Sequence, residues 1–129
     1  MKPAAFAVVA ALALSALPVA ALPVAAAAMS VQEFLTSANR IPRNPTALLR
    51  SDTRRLMNEI SGAFQAVRDD QAAAKAAGRR PATCLPDGKI SLSAEQILDR
   101  FNAIPAQRRH ISVNQAVREW MAERYPCPT

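Results

Sequence analysis

Three times along this chain a serine is followed three residues later by Glu or Gln, within apolar residues at helical spacing. The three sites are Ser30-Val31-Gln32-Glu33, Ser93-Ala94-Glu95-Gln96 and Ser112-Val113-Asn114-Gln115. Each pattern starts a helix. The serine hydroxyl accepts from a first-turn N–H, and the side chain three residues on reaches back to the serine N–H, so donors orphaned at the helix start are satisfied. Prolines supply the stops, 10 of them in 129 residues. A chain with this punctuation is restricted to short helices joined by tight connections, unless one proline-free stretch is long enough for a spine.

One stretch is. From near Ser51 onward, Leu56, Ile60, Ala63, Phe64, Val67, Gln71 and Ala74 recur at spacings of three and four, the period of one helix face. Arg54, Asn58, Ser61, Gln65, Arg68 and Asp69 fall opposite. Asp52 sits in the first turn, where a negative charge is favoured. Gly78 and then Pro81 close the run. The pattern predicts a helix of about 26 residues, close to 39 Å long. Gly62 inside it marks a place where a second helix could cross closely.

Around this spine the pattern predicts a first helix with Val31, Phe34, Leu35 and Ala38 on one face, ended by Pro42 and Pro45. Residues Thr46 to Arg50 form one further turn. Residues 81–92 form a loop turned by Pro86-Asp87-Gly88. A helix over 94–104 carries Ile97, Leu98, Phe101 and Ile104 and stops at Pro105. A last helix carries Val113, Ala116, Val117, Trp120 and Met121 and ends at Tyr125-Pro126-Cys127. No segment alternates polar and apolar residues as a half-buried strand does. The expected fold class is all-α: a compact bundle of four to five helices, with one long central helix and one disulfide. Trp120 and Phe64 sit on apolar stripes and are expected in the core.

The first 28 residues read as an export signal. Lys2 supplies a positive start, Ala4 to Leu17 follow without a charge, and small residues lead to Ala26-Ala27-Ala28. That order is the layout of a secretory signal peptide, with cleavage between Ala28 and Met29. The uncharged stretch is long enough to span a bilayer. It is mostly alanine, however, and Pro18 and Pro23 interrupt it, so no stable membrane insertion is expected after cleavage. Residues 29–129 then form a single helical domain in the periplasm or outside the cell. Cys84 and Cys127 are the only cysteines, and an even count in an exported chain reads as a bridge. Such a bridge stabilises by roughly 4 kcal/mol on the chain-entropy model.

The chemistry of catalysis is sparse. No phosphate-binding loop, dinucleotide fingerprint or nucleophile elbow occurs. His110 is the single histidine, so neither a catalytic residue nor a metal or cofactor ligand set is assigned. Asp69-Asp70 diverge by 100° on a helix and read as a solvated surface. The chain carries 16 Lys and Arg against 10 Asp and Glu, a formal charge of +6. Arg54-Arg55, Arg79-Arg80 and Arg108-Arg109-His110 form basic clusters, but acids are interspersed and no aromatic series accompanies them. They read as solvated surface, and no nucleic-acid partner is expected.

From Cys84 to Cys127 the sequence resembles the small helical periplasmic immunity proteins of the Rap/Tai type, associated with type VI secretion. The matching features are Cys84-Leu85-Pro86, the amphipathic helix 94–104, the connector with Pro105 and Arg108-Arg109-His110, and Tyr125-Pro126-Cys127. Many members carry further cysteines in the N-terminal half, and this chain has none there. The resemblance implies a disulfide between the matching cysteines. It also implies a non-enzymatic role, blocking the active site of a toxin delivered by a neighbouring cell, often a cell-wall amidase. The expected function is therefore an exported protein-binding domain with an effector or another periplasmic protein as its partner. The expected contact segment is the exposed connector: Gln107, Arg108, Arg109, His110 and Ile111. The alternative is a periplasmic housekeeping module, such as a small chaperone or a binder of the anionic envelope surface, which would hold many weak partners in a salt-dependent way.

Overall fold

The computed structural model describes residues 28–128. Of the expected signal peptide, residues 1–27 lie outside that range. Ala28 is exposed, and Met29, on the other side of the expected cleavage point, is buried.

Among the described residues four α-helices form: α1 (Val31–Asn39), α2 (Ser51–Ala76), α3 (Ala94–Asn102) and α4 (Val113–Arg124), with short 3-10 turns at Pro45–Leu49 and Ala106–Arg108. No strand occurs among the described residues, and the domain is an all-α bundle with one disulfide. The serine-led starts form as their chemistry requires. The hydroxyls of Ser30 and Ser93 accept from the N–H groups of Glu33 and Gln96, whose side chains return to the serine N–H. Ser112 caps α4 through Gln115 N–H at 3.0 Å, but the Gln115 amide turns to Glu119 instead of completing the box. Asn44 caps the turn before α2 by accepting from Thr46 N–H at 3.1 Å.

The spine, α2, has 26 residues and ends where glycine was expected. Gly78 adopts φ +68°, Arg79 N–H donates to Ala74 O at 2.8 Å, and Gly78 N–H donates to Lys75 O at 3.1 Å. This is the Schellman arrangement, in which a left-handed residue lets two orphan carbonyls find donors. Gly62 plays no crossing role among the described residues: a Cβ at that position would meet none of their atoms within 4 Å. Helix α3 stops at Asn102, two residues short of the expected end, since Ile104 precedes Pro105 and the α region is disfavoured before a proline.

Among the described residues the core is a single cluster. It joins Val31, Phe34 and Leu35 of α1, Leu56, Ala63 and Val67 of α2, Phe101 of α3, and Val113, Ala116, Val117, Trp120 and Met121 of α4. Leu85 enters from the loop. Phe101 is fully buried and meets Phe34 edge-on, with ring centroids 5.1 Å apart. Helix α2 packs most extensively on α4. Asp70 of α2 and Arg118 of α4 pair across that contact at 2.8 Å, so Asp69-Asp70 is not simply solvated surface. Asp69 turns away and accepts from Gln65.

Two backbone devices close the bundle. The N-caps Ser30 and Ser112 face each other as an antiparallel bridge. Val31 N–H donates to Ile111 O, and Val113 N–H donates to Met29 O, both at 2.9 Å. The starts of α1 and α4 therefore satisfy each other's orphan donors. At the other end Cys84 and Cys127 are joined, with Cα atoms 4.9 Å apart. Cys84 N–H donates to Tyr125 O at 2.9 Å, and Arg80 donates to the carbonyls of Cys127 and Pro128, both at 2.8 Å.

Candidate functional site

The connector between α3 and α4 begins with Pro105 and turns once through Ala106–Arg108. Its carbonyls face α1: Arg109 O accepts from Gln32 N–H at 2.9 Å, beside the Ile111 bond to Val31. The Arg109 guanidinium turns back and donates to Ile104 O and Asn102 O, both at 3.0 Å, which covers the last carbonyls of α3. Arg108 pairs with Glu119 at 2.8 Å. That hydrogen bond, assisted by the Gln115 amide, holds the Glu119 carboxyl below the usual glutamate range against the opposing effect of partial burial. His110 Nδ1 lies 2.9 Å from Gln107 O.

The five expected contact residues are thus adjacent, but they do different work. Arg109 and Ile111 are half-buried and hold α1, α3 and α4 together, while Gln107, Arg108 and His110 are exposed on the outer side. The arginine clusters are not uniformly solvated either. Arg80 clamps the C-terminal segment and Arg109 covers a helix end, because a planar guanidinium can serve several carbonyls at once. Both uses join residues distant in the chain or depend on the path of the connector, so a cluster pattern in sequence gives no sign of them.

A second feature was missed from sequence. An open groove of about 310 Å³ lies between α2 and the loop leading to α3. Ile60 and Phe64 form one wall, and Ile90, Leu92 and Ile97 form the other. Phe64 is therefore only half-buried, at the groove rather than in the closed core. Ser61, Gln65, Arg68 and Lys89 complete the lining. Arg68 donates to Gly88 O at 2.7 Å and pins the loop to the helix. The available signal was the apolar pair Ile90 and Leu92, two residues apart on either side of Ser91. Met57 is 57% exposed and precedes Ile60 and Ser61 by one turn, extending the apolar stripe along α2. Leu48 and Leu49 are also exposed, at 70% and 80%.

Among the described residues, no helix is long and apolar enough to cross a membrane, and no three His, Cys, Asp or Glu side chains converge as metal ligands would. No protein-family model, curated protein or solved structure matches this chain.

Proposed function

We propose that this chain is an exported, non-enzymatic protein-binding domain, and specifically a periplasmic immunity protein that neutralises a cell-wall-targeting toxin. Export follows from the charged start, apolar run and small residues before Met29. The compartment agrees with the use of both cysteines in a bridge. The observation that carries the binding reading is the connector. Its backbone is held by α1, its α3 end by Arg109 and its α4 end by the Val113–Met29 bond, so Gln107, Arg108 and His110 stand on a surface whose shape is set before any partner arrives. A preorganised surface loses little freedom on association, and so gives tight binding from a small area.

The test is a pull-down from bacterial envelope extract with the oxidised protein as bait, at low and high salt, with bound proteins identified by mass spectrometry. The reading expects one stoichiometric, salt-resistant partner with wall-degrading activity that the protein inhibits. It further expects capture to weaken when Gln107, Arg108 and His110 are replaced by alanine. A diffuse set of anionic partners that disappears at high salt would overturn it in favour of a housekeeping role at the envelope surface.

A further inference from the structure

The groove between α2 and the following loop combines three properties that together specify an occupant. The first is apolar lining on both walls: Ile60 and Phe64 face Ile90, Leu92 and Ile97. The second is an open stretch of main chain along one wall. Among the described residues, no N–H or C=O of residues 89–92 makes a hydrogen bond, although the positions on either side do, through Gly88 O and Ser93 N–H. Ile90 and Leu92 line the groove while Ser91 is exposed, the alternation of an extended segment. The third is charge. Among the described residues the lining contains two cations, Arg68 and Lys89, and no carboxylate. The carboxylates of Asp69 and Asp87 are outside it, and Asp69 is engaged by Gln65 at 2.9 Å.

An unpaired extended main chain beside apolar pockets is the arrangement to which peptides add as a strand: backbone bonds supply affinity, and alternate side chains entering the pockets supply specificity. We propose that the groove binds an extended segment of a partner protein along residues 89–92. The segment carries apolar residues at alternate positions and a carboxylate beside Arg68 and Lys89. The bound segment pairs with the main chain of Ile90 and Leu92, and its apolar side chains pack between Phe64 and Ile97. The carboxylate meets Lys89, which is exposed and makes no ion pair among the described residues, and the part of Arg68 not engaged with Gly88. This surface deepens the protein-binding reading and rests on it, since it gives that partner a second and chemically defined contact.

The experiment uses the oxidised protein purified from the envelope fraction. The probe is a fluorescein-labelled peptide alternating valine and threonine and ending in two glutamates, and a second peptide ends in two lysines. Fluorescence anisotropy reports binding, and amide hydrogen exchange reports its place. The expected result is binding of the acidic peptide at least about tenfold tighter than the basic one. Slowed exchange at Ile90 and Leu92, whose N–H groups face the added segment, is expected with it. Lys89→Glu removes the preference without touching a hydrogen bond of the fold, and Arg68→Gln weakens binding further. Equal binding of both peptides, no binding, or protection elsewhere with residues 89–92 unchanged overturns the proposal. If wild type and Lys89→Glu capture the same salt-resistant envelope partner equally well, the groove is overturned while the protein-binding reading stands.

Discussion

Replacing both cysteines, Cys84→Ser with Cys127→Ser, isolates the contribution of the bridge without leaving a reactive thiol. The bridge spans a sequence separation of 43 residues and encloses α3 and α4. For a loop of that length the chain-entropy model assigns about 4 kcal/mol, lost by freeing the unfolded chain. A domain of this size has a total stability of roughly 5–15 kcal/mol, so the variant is expected to remain folded but close to its limit. With an unfolding entropy of about 2.1 cal/mol/K per residue over roughly 100 residues, the melting temperature falls by about 20 °C. Thermal denaturation followed by circular dichroism measures it, on the oxidised protein and the double-serine variant side by side. The native ends stay close through Arg80 and the Cys84–Tyr125 bond, but these act only once the chain has folded. A fall below about 5 °C would refute the entropic argument and show that the unfolded chain is already restricted without the bridge. Arg80→Ala is the control: it removes native contacts alone and is expected to cost about 1–2 kcal/mol.

Phe101→Ala empties the centre of the cluster, removes the edge contact with Phe34, and is expected to cost about 3–5 kcal/mol in urea denaturation. Gly78→Ala forces a Cβ into a left-handed residue with φ +68° and is expected to destabilise by about 1 kcal/mol, although nothing crowds the site. Glu119 titrates below its ordinary value of 4.5 in the folded protein, so the Arg108 pair contributes stability above that value and loses it as pH falls through the lower folded pKa. Arg108→Gln is expected to move the Glu119 carboxyl resonance back toward the ordinary titration range in an NMR pH series, and an unchanged midpoint would show that Arg108 is not the cause.

Much of the fold was legible because its signals are local. A serine hydroxyl caps a helix start three residues away, so Ser30, Ser93 and Ser112 mark their helices within a single turn. Most of the α2 stripe reads correctly since residues three and four apart share a face whatever they pack against, but Phe64 lies at the groove, lined also by Ser61, Gln65 and Arg68 from the side expected to be opposite. Gly78 reads correctly because its left-handed backbone is a property of the helix end itself. Gly62 was misread because a glycine in a helix has the same appearance in sequence whether a neighbour crosses there or not. The connector was identified as exposed, but its division into holding and outward residues was not. The donors that claim Arg109 O and Ile111 O belong to Gln32 and Val31, far earlier in the chain.

The all-α class, the helix starts, the long spine and the pairing of two cysteines follow from the sequence by itself, since capping, 3.6-residue periodicity and an even cysteine count act over short range or allow one solution. Tertiary structure alone decided that the starts of α1 and α4 cap each other, that Arg80 and Arg109 serve the framework, and that Ile90 and Leu92 meet Ile60 and Phe64 across an open groove. Each of those depends on which distant groups become neighbours once the core has closed. Hydrophobic burial drives that closure without direction, and it leaves the choice of neighbours to the packing of the whole chain.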